Sequence, residues 1–334
     1  MEFANLADIM TSMQPSLLVP LVALWLQASP AAAQSETPLP ELPLENDAAG
    51  NEEPPDSLQS PLEPDGAAGG FEGVSPAGSG RSAGLYRECL NIAAEDPRGA
   101  IDFAFAWQAD GNSLAAKHCS AIAYSALDRF GLAAKRLGEI TRDLRTGRDL
   151  PPHLAAGKPR ATLLAQIYAQ LGNARLLEGN ADAAYSAFSA GLAALPEAAK
   201  PIRVELLVDR ARTLGAAGDF EAALKDLVAA QKLAPDRGDI ALYRASAHRA
   251  LDDLEAALKA VSEAIEGSEA SPAALLERGN IRMLREETTA ARRDWQEVVA
   301  RWPDSSAAGA AKANLARLDG KVVGSGKDGS RSSK

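Results

Sequence analysis

The chain has 334 residues, of which 46% are hydrophobic, 24% charged and only 5% aromatic. Its length leaves room for two or three ordinary domains, and its composition excludes a wholly disordered chain, a collagen-like chain and a disulfide-dense miniprotein. The formal net charge of −10 is unevenly spread: residues 34–82 carry ten acids against Arg81 alone, and the part beyond is close to neutral. A near-neutral body behind an acidic leader lacks the basic stripe that displaces counterions, so no nucleic-acid partner is expected.

Residues 16–26 read SLLVPLVALWL and are followed by QASPAAAQ, with small residues Ala31 and Ala33 where a signal peptidase reads them. The pattern predicts a signal peptide over 1–33, cleaved near Ala33, and hence export to the periplasm. The apolar run is shorter than the ~20 residues of a spanning helix, so no membrane span is expected in the mature chain. Residues 1–15 contain no Lys or Arg, a departure that a start at Met10 or Met13 instead of Met1 would ease; an uncleaved anchor or a cytosolic chain is the alternative. No cysteine follows the small residues, so a lipid anchor is not expected. Residues 34–82 hold eight prolines and one aromatic, Phe71. Such a stretch cannot bury enough apolar surface to offset chain entropy, and it reads as a disordered linker, either a spacer or a docking tail for a basic partner. The Gly/Ser/Lys-rich stretch 319–334 reads as a disordered tail.

The body between them repeats. Ala223, Ala257 and Ala291 are spaced by 34 residues, as are Arg210, Arg244 and Arg278, and Ala211, Ala245 and Gly279. The flanking text agrees, with EAAL at 221–224 and 255–258 and TAAR at 289–292. Weaker copies lie upstream, in 171–196 (Leu171-Gly172, Gly179, Ala184, Phe188, Pro196), in 124–137 (Tyr124, Phe130, Ala133, Leu137) and in 96–107. The register is 81–113, 114–147, 165–198, 204–237, 238–271 and 272–305, with a closing helix over 306–318 and an insertion before residue 165. Each unit carries apolar residues at i, i+3, i+4 and i+7 in two runs, the pattern of a pair of amphipathic helices. Asp96-Pro97 and Ser271-Pro272 read as N-cap plus first-turn proline, and Gly179-Asn180 and Gly218-Asp219 as the turn between helices.

A 34-residue unit with a small residue at its eighth column, Ala at its twentieth and Pro near its thirty-second resembles the tetratricopeptide repeat (TPR), here of an exported bacterial type. The likeness is specific over 165–305 and weaker upstream, and Arg175 stands where an aromatic is usual. The resemblance implies an all-α fold, a right-handed α-solenoid over 83–318 whose first helices line a concave groove. On this register the groove is lined by Gln166, Asn173, Glu205, Val208, Arg212, Asp239, Leu242, Ser246, Arg249, Leu276, Asn280 and Met283. Amides, charges and Leu/Met together suit an extended peptide or a partner helix. Asn173 and Asn280 occupy a column that some family members use to clamp a terminal carboxylate, but Ala169 and Leu276 stand where that clamp needs Lys, so no clamp is expected.

The arginine ladder reads as structural rather than ligand-binding. Asp226 and Asp294 follow Arg210 and Arg278 by sixteen residues, on the facing helix, whereas Arg244 meets Ala260 and must pair elsewhere. Trp295 and Trp302 read as core. Cys89 and Cys119 lie in the first helices of successive units and, in an exported protein, favour a disulfide over two free buried thiols or redox chemistry. His118 beside Cys119 finds no metal-ligand spacing with His153 or His248, so neither metal nor cofactor is expected. No phosphate loop, nucleophile elbow or His-Glu zinc helix is present, and Asp252-Asp253 reads as a solvated turn. The expected function is therefore a non-catalytic protein- or peptide-binding scaffold of the cell envelope. An accessory subunit of an envelope-modifying enzyme complex and a self-associating structural repeat protein are the alternatives.

Overall fold

The computed structural model describes residues 79–325 apart from 112, 149, 151–153, 155–156 and 267–270. The expected signal peptide, the expected linker up to residue 78 and residues 326–334 of the expected tail lie outside these. The described residues form helices α1 (Ser79–Glu95), α2 (Pro97–Ala109), α3 (Ser113–Ala126), α4 (Phe130–Thr146), α5 (Lys158–Leu177), α6 (Ala181–Ala194) and α7 (Lys200–Ala216). These continue as α8 (Phe220–Leu233), α9 (Gly238–Ala250), α10 (Leu254–Glu266), α11 (Pro272–Leu284), α12 (Thr288–Arg301) and α13 (Ser306–Ser325). Odd-numbered helices are the first, and even-numbered the second, of each pair. The substantial contacts of every helix are with the one or two helices before and after it, so the chain is a stack in which each pair buries the apolar face of the next. It winds as a right-handed α-solenoid.

The helix boundaries follow from local chemistry. Asp96, Asn180, Asp219 and Ser271 each turn a side-chain oxygen onto a backbone N–H three residues on, closing the starts of α2, α6, α8 and α11. The turn inside a pair reverses through one residue in the left-handed region: Asp128, Gly179, Gly218, Asp252 and Glu286, with φ from 55° to 88°. Glycine adopts that conformation without steric cost; the three acids at the same turn position do not. Asp252-Asp253 is such a turn, and Asp253 caps α10 by accepting from Ala256 N–H. The fifth helix starts at Lys158, ahead of the register expected from the repeat, because Pro159 fits a first helical turn. At the far end α13 runs on to Ser325 and exposes Lys312, Arg317 and Asp319, so the stack closes on a polar face.

Inside five of the six pairs, all but the first, the two helices cross where a small residue faces a large one sixteen positions later. Gly172 lies under Phe188 and Gly279 under Trp295, while Ala121, Ala211 and Ala245 share a cluster with Leu137, Leu227 and Val261. The sizes are complementary: glycine stands where the partner is aromatic, alanine where it is Leu or Val. A Cβ on Gly279 would lie 2.5 Å from Trp295 Nε1, and one on Gly172 would lie 2.4 Å from Phe188 Cε1. Trp295 is buried as its pattern implied, whereas Trp302 is half-buried beneath Arg301, whose guanidinium carbon is 4.3 Å from the ring centroid.

Gly279→Ala should destabilise by about 1–3 kcal/mol through overpacking, and Trp295→Leu should also destabilise, by leaving a void. The double variant restores the Ala–Leu combination of Ala211 and Leu227. Denaturant unfolding should show it less destabilised than the sum of the singles by about 1 kcal/mol or more; additive losses would contradict the size-matching argument.

Candidate binding face of the first helices

The arginine ladder lies on the side of the second helices. Arg210 donates to both carboxylate oxygens of Asp226 at 2.7 Å and to Ser189 Oγ at 3.1 Å, with the Tyr185 ring 5.7 Å away. Arg278 grips Asp294 at 2.7 and 3.1 Å, and Arg282 adds a third bond to Asp294 at 2.7 Å. Arg244, facing Ala260, reaches Glu263 instead at 3.0 Å. The Arg210–Asp226 and Arg278–Asp294 pairs are those that the sixteen-residue spacing implied, and all of these contacts fasten first helix to second. Arg136 does related work upstream: it donates to Ser120, Gln108 and Glu139 and stacks 4.4 Å beneath Phe105.

The opposite face carries a second polar system, which joins first helix to first helix. Between α1 and α3 the Tyr86 hydroxyl meets His118 Nδ1 at 2.6 Å, and between α3 and α5 His118 Nε2 meets Gln170 Oε1 at 2.8 Å. An amide oxygen only accepts, so Nε2 carries the proton and Nδ1 accepts from Tyr86. Between α5 and α7, Asn173 Nδ2 donates to Asp209 at 3.1 Å, and Arg212 pairs with the same carboxylate at 2.9 Å. Between α7 and α9, Arg237 bonds Glu205 at 2.5 Å and Asp239 at 2.6 and 2.7 Å, while the Arg212 guanidinium stands 6.0 Å from the Tyr243 ring. Between α9 and α11, Arg249 Nε donates to Glu277 at 2.7 Å, and between α11 and α13 Asn314 donates to Asn280 at 2.9 Å. Every successive pair of first helices is thus bridged by a polar contact.

This ladder decides where the expected groove residues sit. Gln166, Val208, Arg212, Leu242, Ser246, Arg249 and Leu276 are buried; Asn173, Glu205, Asn280 and Met283 are half-buried; Asp239 is exposed. Val208, Leu242 and Leu276 belong to apolar clusters, and most of the polar members bond residues outside the expected list, namely Asp209, Arg237, Glu277 and Asn314. Gln170, Asp209, Arg237, Glu277 and Asn314 complete the face and were not among the expected residues. Two donors on it have no acceptor, Gln166 Nε2 on α5 and Arg212 Nη2 on α7. Burial pushes the Asp209 carboxyl up, against the opposing pull of Arg212 and Asn173. Burial also drives His118 below the ordinary imidazole range, against the bond to Gln170, and raises the Tyr86 phenol.

Cys89 and Cys119 form a disulfide between α1 and α3, with Cα atoms 6.2 Å apart, and both are wholly buried beside Tyr86 and Trp107. Closing a loop of that length stabilises by about 3–4 kcal/mol in the chain-entropy account. Among the described residues no group of three or more His, Cys, Asp or Glu could hold a metal ion, and no helix is long and apolar enough to cross a membrane.

No protein-family model matches the chain, and no curated protein matches it. Solved structures do. The chain is similar to Pseudomonas aeruginosa pilF, at 12% identity and a TM-score of 0.52, covering 70% of this chain and 97% of that one. It is similar to YrrB, described as a TPR protein with an unusual peptide-binding site, at 16% identity and a TM-score of 0.44, covering 60% and 92%. A further likeness is to the MamA protein, at 16% identity and a TM-score of 0.43, covering 55% and 92%. At these identities the likeness speaks for the fold. The stack of antiparallel helix pairs is that of a helical-repeat solenoid, the fold that the resemblance of the sequence to the tetratricopeptide repeat implied.

Two outcomes follow from the buried polar face. Glu277 is wholly buried and Arg249 nearly so, so Arg249→Met or Glu277→Leu alone should cost about 3–5 kcal/mol by stranding a charge. The double variant should recover most of that loss in denaturant titrations; two cheap singles would show that the pair is solvated. His118 is held neutral in the folded chain, whereas the unfolded chain takes up its proton below about pH 6.5. Stability should therefore fall on acidification, with His118 contributing a slope of up to about 1.4 kcal/mol per pH unit below that value. His118→Gln should flatten this part of the profile in melts between pH 7.5 and 5.5, and an unchanged slope would contradict it.

Proposed function

We propose that this chain is a non-catalytic adaptor or scaffold of the cell envelope, binding a protein or peptide partner on the concave face of its first helices. The observation that carries the reading is the pair of unpartnered donors, Gln166 Nε2 and Arg212 Nη2, on neighbouring first helices. Buried donors without acceptors are rare, because each costs about 1–3 kcal/mol. Carbonyl oxygens of a partner are acceptors of the right kind, reached through a small shift of the flanking side chains. The half-buried Glu205, Asn280 and Met283 offer further polar and apolar contact on the same face.

The buried disulfide supports an oxidising compartment, in line with the apolar run and A-x-A pattern at the N-terminus. The non-catalytic reading is supported by the absence of nucleotide-binding, nucleophile-elbow or zinc-helix motifs from the sequence, and by polar clusters that tie helices together. The polar outer face of α13 disfavours open-ended stacking of copies through that end.

A photoreactive amino acid at position 205 or 283 should capture a partner in intact cells, whereas the same residue at Lys225 or Lys259, exposed on the second helices, should not. Capture only at the latter positions would move binding to the convex side. Fractionation should find a chain cut near Ala33 in the periplasmic extract; an uncut cytoplasmic chain would overturn the location.

A further inference from the structure

A run of unpaired positive charge lies at the junction of the second and third pairs, where the insertion breaks the repeat. Between Asp143 and Glu178 the sequence has one acid, Asp149, against Arg145, Arg148, Lys158, Arg160 and Arg175. Lys135, Arg142 and Arg145 follow one another along the exposed face of α4, Arg148 continues that line into the connection, and Lys158 opens α5; all five are exposed. The neighbouring acids are already engaged, Asp143 with Lys117 at 2.6 Å and Glu139 with Arg136 at 3.0 Å. Among the described residues none of the five exposed cations is paired with a carboxylate.

Nor are these charges needed to finish the helix. The C-terminus of α4 is closed by Gly147 at φ 76°, whose N–H bonds Asp143 O at 2.9 Å. Its last carbonyls, of Leu144 and Arg145, accept from the Arg160 guanidinium. The helix end thus has its caps, and the surrounding cations are left facing solvent.

We infer that this basic rim is the docking site of the chain's own acidic segment, residues 34–78. Three observations converge. The segment carries ten acids and not one Lys or Arg, the strongest single-sign run in the chain. It joins the solenoid at Ser79, the start of α1. Because helices alternate in direction along the stack, the start of α1, the end of α4 and the start of α5 share one rim. Two interhelix steps of about 8–10 Å separate α1 from α5, whereas the segment extends to about 150 Å at ~3.3 Å per residue. The attachment therefore holds the acids at a high effective concentration beside the cations, so that many weak contacts add up without any one being strong. Docked there, the segment occupies the rim until a partner of higher negative charge density displaces it. This contact is independent of the concave-face reading.

The test uses the whole chain. Both natural cysteines are bonded to each other, so Ser60→Cys supplies a single thiol for a nitroxide spin label. Paramagnetic broadening should appear at the backbone amides of 142–148, Lys158 and Arg160. It should vanish at 1 M salt, where the screening length is about 3 Å, and in the variant Arg142→Gln, Arg145→Gln, Arg148→Gln. Amide shifts elsewhere report whether that variant keeps its fold, and the salt arm needs no variant at all. Broadening confined to the residues after Ser79, broadening indifferent to salt, or broadening that disappears on dilution would each overturn the intrachain contact.

Discussion

The close crossing of the two helices in each pair is the constraint on which the rest depends. A solenoid has no central core; each layer must present a flat apolar face to the next, and that requires the pair itself to close tightly. Closure is set by one contact, the small residue of the first helix against the large residue sixteen positions on. Gly172 with Phe188 and Gly279 with Trp295 show the extreme, where no side chain at all fits beneath the ring. Ala211 with Leu227 and Ala245 with Val261 solve the same problem with a smaller partner. The volume is shared differently in different layers, so substitution at one column is tolerated only where the other changes with it.

Once the pair is closed, polar groups decide how layers are held on either side. On the side of the second helices, the residue before the small one is Arg210 or Arg278, and each forks onto an aspartate of its own pair. On the other side, bonds run between neighbouring first helices, from Tyr86 and His118 at one end to Asn280 and Asn314 at the other. The two systems divide the labour: one fixes the angle within a layer, the other fixes the step between layers. The second includes wholly buried Glu277 and nearly buried Asp209, whose charges are tolerable only because Arg249 and Arg212 lie against them.

These systems were unequally legible in the sequence. The helix pairs, the small-residue column, the Arg–Asp forks and the Cys89–Cys119 bond could be read, because each recurs at a fixed spacing or follows from a count of two. The bonds between first helices could not. Asn173 meets Asp209 at a separation of 36, Arg249 meets Glu277 at 28 and Asn280 meets Asn314 at 34, with a different pair of residue types each time. Some columns recur, Asp209 with Glu277 two periods on and Asn280 with Asn314 one period on, but the partner and the separation change from layer to layer, so the period alone does not reveal the pairing. The expected groove list falls on the first helices, where the register placed it, and it omitted Asp209 and Glu277 for the same reason. Register identifies a face, but whether a side chain on it meets solvent or the next layer depends on the step between layers, which register does not encode.

The irregularities of the sequence fall where the stack departs from a plain repeat, and they share a physical consequence. The first pair has the weakest pattern, and there the layers are joined by a covalent bond and by His118 bridging Tyr86 and Gln170. The insertion between α4 and α5 interrupts the register, and Arg160 adds side-chain bonds to the last carbonyls of α4 beside the Gly147 turn that closes the helix. Both devices sit within the first three pairs, beside the point where the acidic segment enters. Where repetition supplies less packing, single specific bonds replace it. The least regular joint also carries a run of exposed cations along α4, the turn after it and the start of α5.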